Sequence, residues 1–254
     1  MLRTRVIPCL LLKGGGLVKT IGFKDPSYVG DPINAVRIFS EKEVDELVLL
    51  DIEASRQGRE PDYGQIRDIV SEAFMPVGYG GGVTTTEQAR RLASLGVEKV
   101  VVNHAALSGF DVVRQISDSL GAQSTVVAVD VKRNWRGQYR VFDATTGKSL
   151  DVDAVDHVRQ AANAGAGEVF VNDVTRDGTG KGYDIELVRR IVGSVDIPVV
   201  VCGGAGSLEH VREAAAAGAS GVAAGSMFVY LGRHRAVMIN YPAYGALQEV
   251  LGDI

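Results

Sequence analysis

The sequence predicts an α/β fold, a (β/α)8 TIM barrel made of two similar halves, on three observations. Eight short apolar runs rich in β-branched residues alternate with amphipathic segments. Within the runs there is no regular polar alternation, the mark of a parallel sheet covered by helices. One block occurs twice. Met75-Pro-Val-Gly-Tyr-Gly-Gly-Gly-Val-Thr-Thr85 is matched by Ile197-Pro-Val-Val-Val-Cys-Gly-Gly-Ala-Gly-Ser207, and Pro76/Pro198, Gly82/Gly204, Gly96/Gly218 and Asn103/Gly225 all lie 122 positions apart. A spacing held through four landmarks is an internal duplication. A doubly wound open sheet rarely needs eight strands or repeats by halves, so one domain over residues 1–254 is expected, with half-barrels of about 1–122 and 123–254.

Taken in order, Val6–Leu12 reads as the first strand, followed by a glycine-rich loop to about Asp31 that has the length of a functional lid. Helix is expected from Pro32 to Glu43, then a strand ending in Asp51, helix from Tyr63 to Phe74, and the first glycine strand from Met75. Glu87–Leu95 is a helix, Lys99–Asn103 the fourth strand and Val112–Leu120 its helix. The second half gives a strand ending in Asp130, a hairpin around Arg136–Arg140 and helix from Val152 to Ala164. Strand Glu168–Asp173, helix Ile185–Val192, strand Pro198–Cys202, helix Leu208–Ala217 and strand Gly221–Gly225 complete it.

Bulk numbers exclude several function classes. Net charge is −4, from 27 Lys and Arg against 31 Asp and Glu, with the signs scattered. With no basic stripe, nucleic acid and anionic membrane are poor partners. The two cysteines, Cys9 and Cys202, each sit in an apolar run and fit reduced core residues of a cytoplasmic protein. No apolar run approaches membrane-spanning length. The histidines at 104, 157, 210 and 234 share no ligand spacing, so neither a metal nor another cofactor is expected.

In a barrel the chemistry belongs at the C-terminal ends of the strands, which collects Leu11, Asp51, Gly82, Asn103, Asp130, Asp173, Asp177, Gly204 and Ser226 on one rim. An apolar strand running through glycines to a helix-initiating Thr84 or Ser207 places bare N–H groups where a phosphate binds; two copies suggest two anion sites. Asp130 follows four apolar residues, where burial tunes a carboxylate for acid/base work. Arg176–Gly182 is a second flexible loop near one of these sites. At the other strand ends, Arg5, Glu46, Lys99 and Glu168 each open an apolar strand and could meet at the barrel floor.

Together Ile7-Pro-Cys-Leu10, Leu50-Asp-Ile52, Gly80-Gly-Gly82, Val127-Ala-Val-Asp-Val-Lys-Arg133, Arg176-Asp-Gly-Thr179 and Cys202-Gly-Gly-Ala-Gly206 resemble HisF, the cyclase subunit of imidazole glycerol phosphate synthase. The resemblance implies a barrel that receives ammonia from a HisH-like glutaminase at its floor and uses it on a phosphorylated small molecule at its top. It implies an ammonia gate at Arg5, Glu46, Lys99 and Glu168. One phosphate site would be Gly82, Asn103 and His104, the last replacing a small hydroxyl residue, and the other Gly178, Gly204, Gly225 and Ser226. Catalytic carboxylates would be Asp130 and a supporting Asp177. The family's other catalytic aspartate falls at position 11, where this chain has Leu11.

That departure, with Leu10-Leu-Leu-Lys-Gly14 and the Ile239-Asn-Tyr-Pro242 ending, resembles HisF-like proteins of surface-polysaccharide (O-antigen, lipopolysaccharide) gene sets, where ammonia serves an ATP-dependent sugar amidotransferase making an acetamidino group. The chain's lack of a P-loop fits ATP chemistry on another protein. Two alternatives stay open: a histidine-biosynthesis cyclase (a lyase) in which Asp51 or Asp177 covers for Leu11, and a non-catalytic glutaminase activator.

Overall fold

The computed structural model describes residues 4–232 and 234–252. In chain order it contains β1 (Arg5–Lys13), β2 (Gly16–Ile21), β3 (Lys24–Gly30), α1 (Pro32–Glu41), β4 (Leu47–Asp51), α2 (Tyr63–Val70), β5 (Val77–Gly80), α3 (Thr86–Ser94), β6 (Lys99–Val102) and α4 (Asp111–Leu120). There follow β7 (Thr125–Arg133), β8 (Tyr139–Asp143), β9 (Lys148–Asp153), α5 (Ala154–Asn163), β10 (Glu168–Asp173), α6 (Ile185–Val192), β11 (Val199–Cys202), α7 (Leu208–Ala216) and β12 (Gly221–Ala224). Beyond these lie α8 (Ser226–Val229), the short pair β13 (Tyr230–Leu231) and β14 (Ala236–Val237), and α9 (Tyr244–Leu251). Parallel pairing runs β1, β4, β5, β6, β7, β10, β11, β12 and back to β1, so eight strands close into a barrel.

The duplication is written into the helix starts and stops. Asp62 and Asp184 cap α2 and α6 by accepting from the N–H three residues on, and Thr85 and Ser207 do the same for α3 and α7. Both pairs keep the spacing of 122. Such caps satisfy N–H groups that have no partner within the helix. At the other ends, Gly96 and Gly218 turn the chain at φ of +100° and +98°. A Cβ on Gly218 would lie 2.8 Å from Val192 Cγ1. Gly218→Ala is therefore expected to destabilise the fold by about 1–3 kcal/mol in a denaturant titration, from backbone strain and that contact together.

The inward and outward faces of β1 divide the core. Val6, Leu10 and Leu12 pack outward beneath the helices, with Phe39, Leu47 and Ile69. Ile7 and Cys9 point into the lumen, with Val48, Val101, Val126, Phe170 and Val200. The barrel is filled, not hollow, as its diameter requires.

Three expectations need correction. The stretch Lys13–Asp31 is not a loop: β1 continues past a Gly14–Gly15 turn into the antiparallel hairpin β2–β3, which buries Leu17 and Val18 against the body. The second half has its counterpart in β7–β8, extended by β9. Val152 belongs to β9 rather than to a helix, because Asp153 accepts from the N–H groups of Val155 and Asp156 and so starts α5 after it. Helices α1 and α2 also stop short of Glu43 and Phe74; Glu43 adopts φ +52°, outside the helical range.

Candidate active site

Asp130 ends the lumen-facing row of β7. It is 7 % exposed, and Asn103 Nδ2 donates to its Oδ2 at 2.9 Å. Burial pushes this carboxyl up to about 7, Asn103 and Asn172 pull it down, and Asp177 and Asp143 push it further up. A carboxyl poised near neutrality can both give and take a proton at physiological pH. Beside it, Asn172 Oδ1 is buried without a hydrogen-bond partner among the described residues, an arrangement that is rare for a buried polar atom.

Leu11 lies across the barrel mouth, next to Leu50 on β4 and Val18 on β2. Two cavities meet here, sharing a wall of Leu11, Phe23 and Asn172. The larger, about 150 Å³, also reaches Asp130, Asn103, His104, Asp143, Thr145 and Asp51. The smaller, about 40 Å³, reaches Gly178, Gly204, Gly225, Ser226 and Lys19.

The two halves of the mouth are built differently. On the second half, Gly182 N donates to Gly204 O at 2.8 Å and Arg176 holds the Gly182 carbonyl at 2.9 Å, fixing the loop over the smaller cavity. Gly225 has no Cβ, and the Lys19 amine occupies the space a Cβ would take. On the first half, Gly82 N donates to Ser55 Oγ at 3.4 Å, and a Cβ there would strike the Arg59 carbonyl. His104 Nδ1 sits 3.5 Å from Thr145 Oγ1 and 3.6 Å from Asp143 Oδ1. Asn103 is already engaged with Asp130.

Asp177 is a fastener. Its Oδ2 accepts from Thr20 Oγ1 at 2.6 Å and from Phe23 N at 3.1 Å, and its carbonyl accepts from Gly22 N at 3.1 Å. The β2–β3 turn is thereby clamped to the second half, and Gly178, at φ +69°, leaves room for the Thr20 carbonyl. Asp51 is equally occupied: Oδ1 accepts from the N–H groups of Glu53 and Ala54, and Oδ2 pairs with Arg59 at 2.7 Å. Both Asp51 oxygens are taken, and Asp177 commits Oδ2 to the hairpin while lining the smaller cavity beside Leu11.

At the opposite end, the four expected charges meet. Arg5 bonds Glu46 and Glu168, and Lys99 Nζ lies 2.8 Å from Glu46 Oε2 and 3.0 Å from Glu168 Oε1. The result is a closed ring of alternating sign across the floor, with both glutamates buried.

The matching sequence profile is that of the family described as "Histidine biosynthesis protein", over residues 5–235. A Pseudomonas aeruginosa protein described as "Putative imidazole glycerol phosphate synthase subunit hisF2" is 50 % identical over 243 residues, covering 95 % of this chain and 97 % of that one. The chain belongs to the HisF family. Among further HisF relatives, one from Vibrio vulnificus, described as "Putative imidazole glycerol phosphate synthase subunit hisF3", is 46 % identical over 99 % of this chain and 97 % of its own. Another, from Streptomyces avermitilis, described as "Imidazole glycerol phosphate synthase subunit HisF", is 38 % identical over 89 % and 90 %. Among the described residues of this HisF-family barrel, no His, Cys, Asp or Glu cluster could hold a metal ion, and no helix is long and apolar enough to cross a membrane.

Sequence reasoning missed Lys19, Asn172, Asp143 and Ser55. Lys19 was hidden inside the segment read as a loop. Once Leu17-Val-Lys-Thr20 is seen as strand, a lysine between buried neighbours stands out. It is 5 % exposed, and its Nζ donates to the Cys9 carbonyl. Burial lowers the Lys19 ammonium below its ordinary range, while Cys9, Cys202 and Asp177 raise it.

Proposed function

We propose that this chain is the barrel subunit of a glutamine amidotransferase, taking ammonia from a HisH-like glutaminase docked at the floor. On this reading ammonia passes the ring of Arg5, Glu46, Lys99 and Glu168 and threads between the packed lumen side chains, among them Ile7, Val48, Val126 and Phe170. Such a lining favours neutral NH3 over ammonium, whose desolvation is far costlier. At the top the ammonia is delivered, with an ATP-using sugar amidotransferase as the third protein, to acetamidino-group formation on a nucleotide-linked sugar in O-antigen synthesis. Asp130, with a carboxyl at about 7, is the acid/base group left to the barrel.

The observation that carries the reading is Leu11: an aliphatic side chain at the mouth, with both oxygens of neighbouring Asp51 engaged and Asp177 Oδ2 bound to the hairpin, above the floor ring. Cyclisation draws on proton transfer by positioned groups, and one such group contributes about 10²–10⁴ in rate. The test is ammonium-dependent turnover of the imidazole glycerol phosphate synthase bisphosphate, beside that of the Streptomyces avermitilis relative. Turnover lower by about 10²–10⁴ is expected. Equal rates would overturn the reading and favour a histidine-biosynthesis cyclase, for which the near-neutral Asp130 speaks.

A further inference from the structure

Among the described residues, two buried side-chain polar atoms have no hydrogen-bond partner, His157 Nε2 and Asn172 Oδ1. The first belongs to α5, outside the ring of strands. The second lies inside the barrel, on a side chain only 7 % exposed. A buried amide oxygen left unpaired is costly, and a site that keeps one has a donor to receive.

Strand register puts this oxygen at the top of the lumen. Side chains two apart on a strand share a face, so Asn172 stands above Phe170 on β10. It is level with Asp130 on β7 and with Cys202 on β11. One step below, Phe170 is level with Ala128 and Val200, and all three pack in the apolar lumen. The lining therefore turns from apolar to polar at Asn172. Its polar neighbours on that level are already engaged: Asp130 bonds with the side chains of Asn103 and Asn172, and the Cys202 thiol bonds with that of Cys9. Asn172 can donate to Asp130 only through its amide nitrogen, which fixes the amide and leaves Oδ1 on the side of Gly203. A Cβ at Gly203 would lie 3.1 Å from Oδ1, so the glycine keeps the approach to the oxygen clear.

We infer that Asn172 Oδ1 receives ammonia where the lumen opens into the mouth, accepting a hydrogen bond from one of its N–H groups. An amide oxygen has no proton of its own. Ammonia bound to it through N–H keeps its lone pair free, facing the two cavities that share Asn172 as a wall. A hydroxyl or an ammonium group in the same place could donate to that lone pair and blunt it as a nucleophile. This deepens the function proposed above and rests on its passage of ammonia along the lumen.

The test uses the full chain with ammonium salts, which need no glutaminase. The side-chain amide shifts of Asn172 are followed as ammonium chloride is added, once at a pH where ammonia predominates and once where ammonium does, with potassium chloride as the control. A saturable shift under the ammonia condition alone is expected. Asn172→Leu, of similar size, is then compared with the parent in ammonium-dependent turnover of the imidazole glycerol phosphate synthase bisphosphate. Its KM for ammonia should rise about three- to tenfold, the worth of one hydrogen bond, with the KM for the bisphosphate unchanged. The variant also loses a donor to Asp130 and so moves the pH profile of kcat upward; the ammonia KM is the deciding quantity.

A moved pH profile with an unchanged ammonia KM would overturn the inference, since Asn172 would then act only through Asp130. Amide shifts no larger than those in potassium chloride would overturn it as well. Should the variant fail to fold or turn over too slowly to measure, the shifts of the parent decide alone. Bisphosphate turnover equal to that of the Streptomyces avermitilis relative would sink the delivery role while ammonia bound at Asn172 still stood. Slow turnover with no ammonia-specific shift would do the reverse.

Discussion

Lys99→Met is expected to destabilise the protein by about 3–5 kcal/mol, the cost of breaking a buried ion pair from one side. Lys99 Nζ bridges Glu46 and Glu168, which are 3 % and 6 % exposed. Without it two buried carboxylates share Arg5 alone, and their own burial leaves them little access to water. Methionine keeps most of the lysine's volume, so a packing void is not the cause. For a chain of this size the loss is read as a fall in Tm of roughly 6–20 °C. Adding Glu46→Gln to the variant removes one uncompensated charge and should recover part of the loss. A single variant within about 1 kcal/mol of the parent, the usual worth of an exposed pair, would mean that the ring is solvated and unsuited to guard a passage.

Asp130→Asn is expected to stabilise the fold at pH 8 and to leave it almost unchanged at pH 4. The folded carboxyl is raised from 3.8 to about 7, chiefly by burial. Below pH 3.8 both folded and unfolded chains carry the proton, and the group costs nothing. Between 3.8 and about 7 the unfolded chain has released its proton while the folded chain retains it, so stability falls as pH rises. Above 7 the loss is complete, at roughly 4 kcal/mol. Asparagine has no proton to lose and can still accept from Asn103 Nδ2. Denaturant midpoints of parent and variant should therefore diverge from pH 4 to pH 8, with the variant the more stable. Parallel curves would show that Asp130 is not held near neutrality, and the proton-transfer role proposed for it would lose its basis.

Much of this was legible in the chain. The spacing of 122 is a statement about backbone: Asp62 and Asp184, Thr85 and Ser207, Gly96 and Gly218 each serve one local geometry that few residue types satisfy. Pattern reading finds such positions because their reasons lie within a turn or two. The residues at 5, 46, 99 and 168 were visible for a related reason, a charge at the mouth of an apolar strand being unusual wherever it occurs. The hairpin β2–β3 was not legible, since the glycines that open it suit a loop equally well, and its burial depends on the Thr20 and Phe23 contacts with Asp177, more than 150 positions away. With the hairpin went Lys19. The packing around the two rim glycines was hidden for the same reason: the Arg59 carbonyl reaches Gly82, and the Gly182 carbonyl reaches Gly204, only once the chain has closed.

Lys19 belongs to residues 1–122, yet the cavity it enters is formed by glycines of the other half. A symmetric protein assembled from two copies of residues 123–254 could reproduce the strands and caps of a barrel, but it would contain no such amine. The first half lends that amine and the second half returns the Asp177 clamp on its hairpin, so neither could be exchanged for a second copy of its sister without losing one of the two.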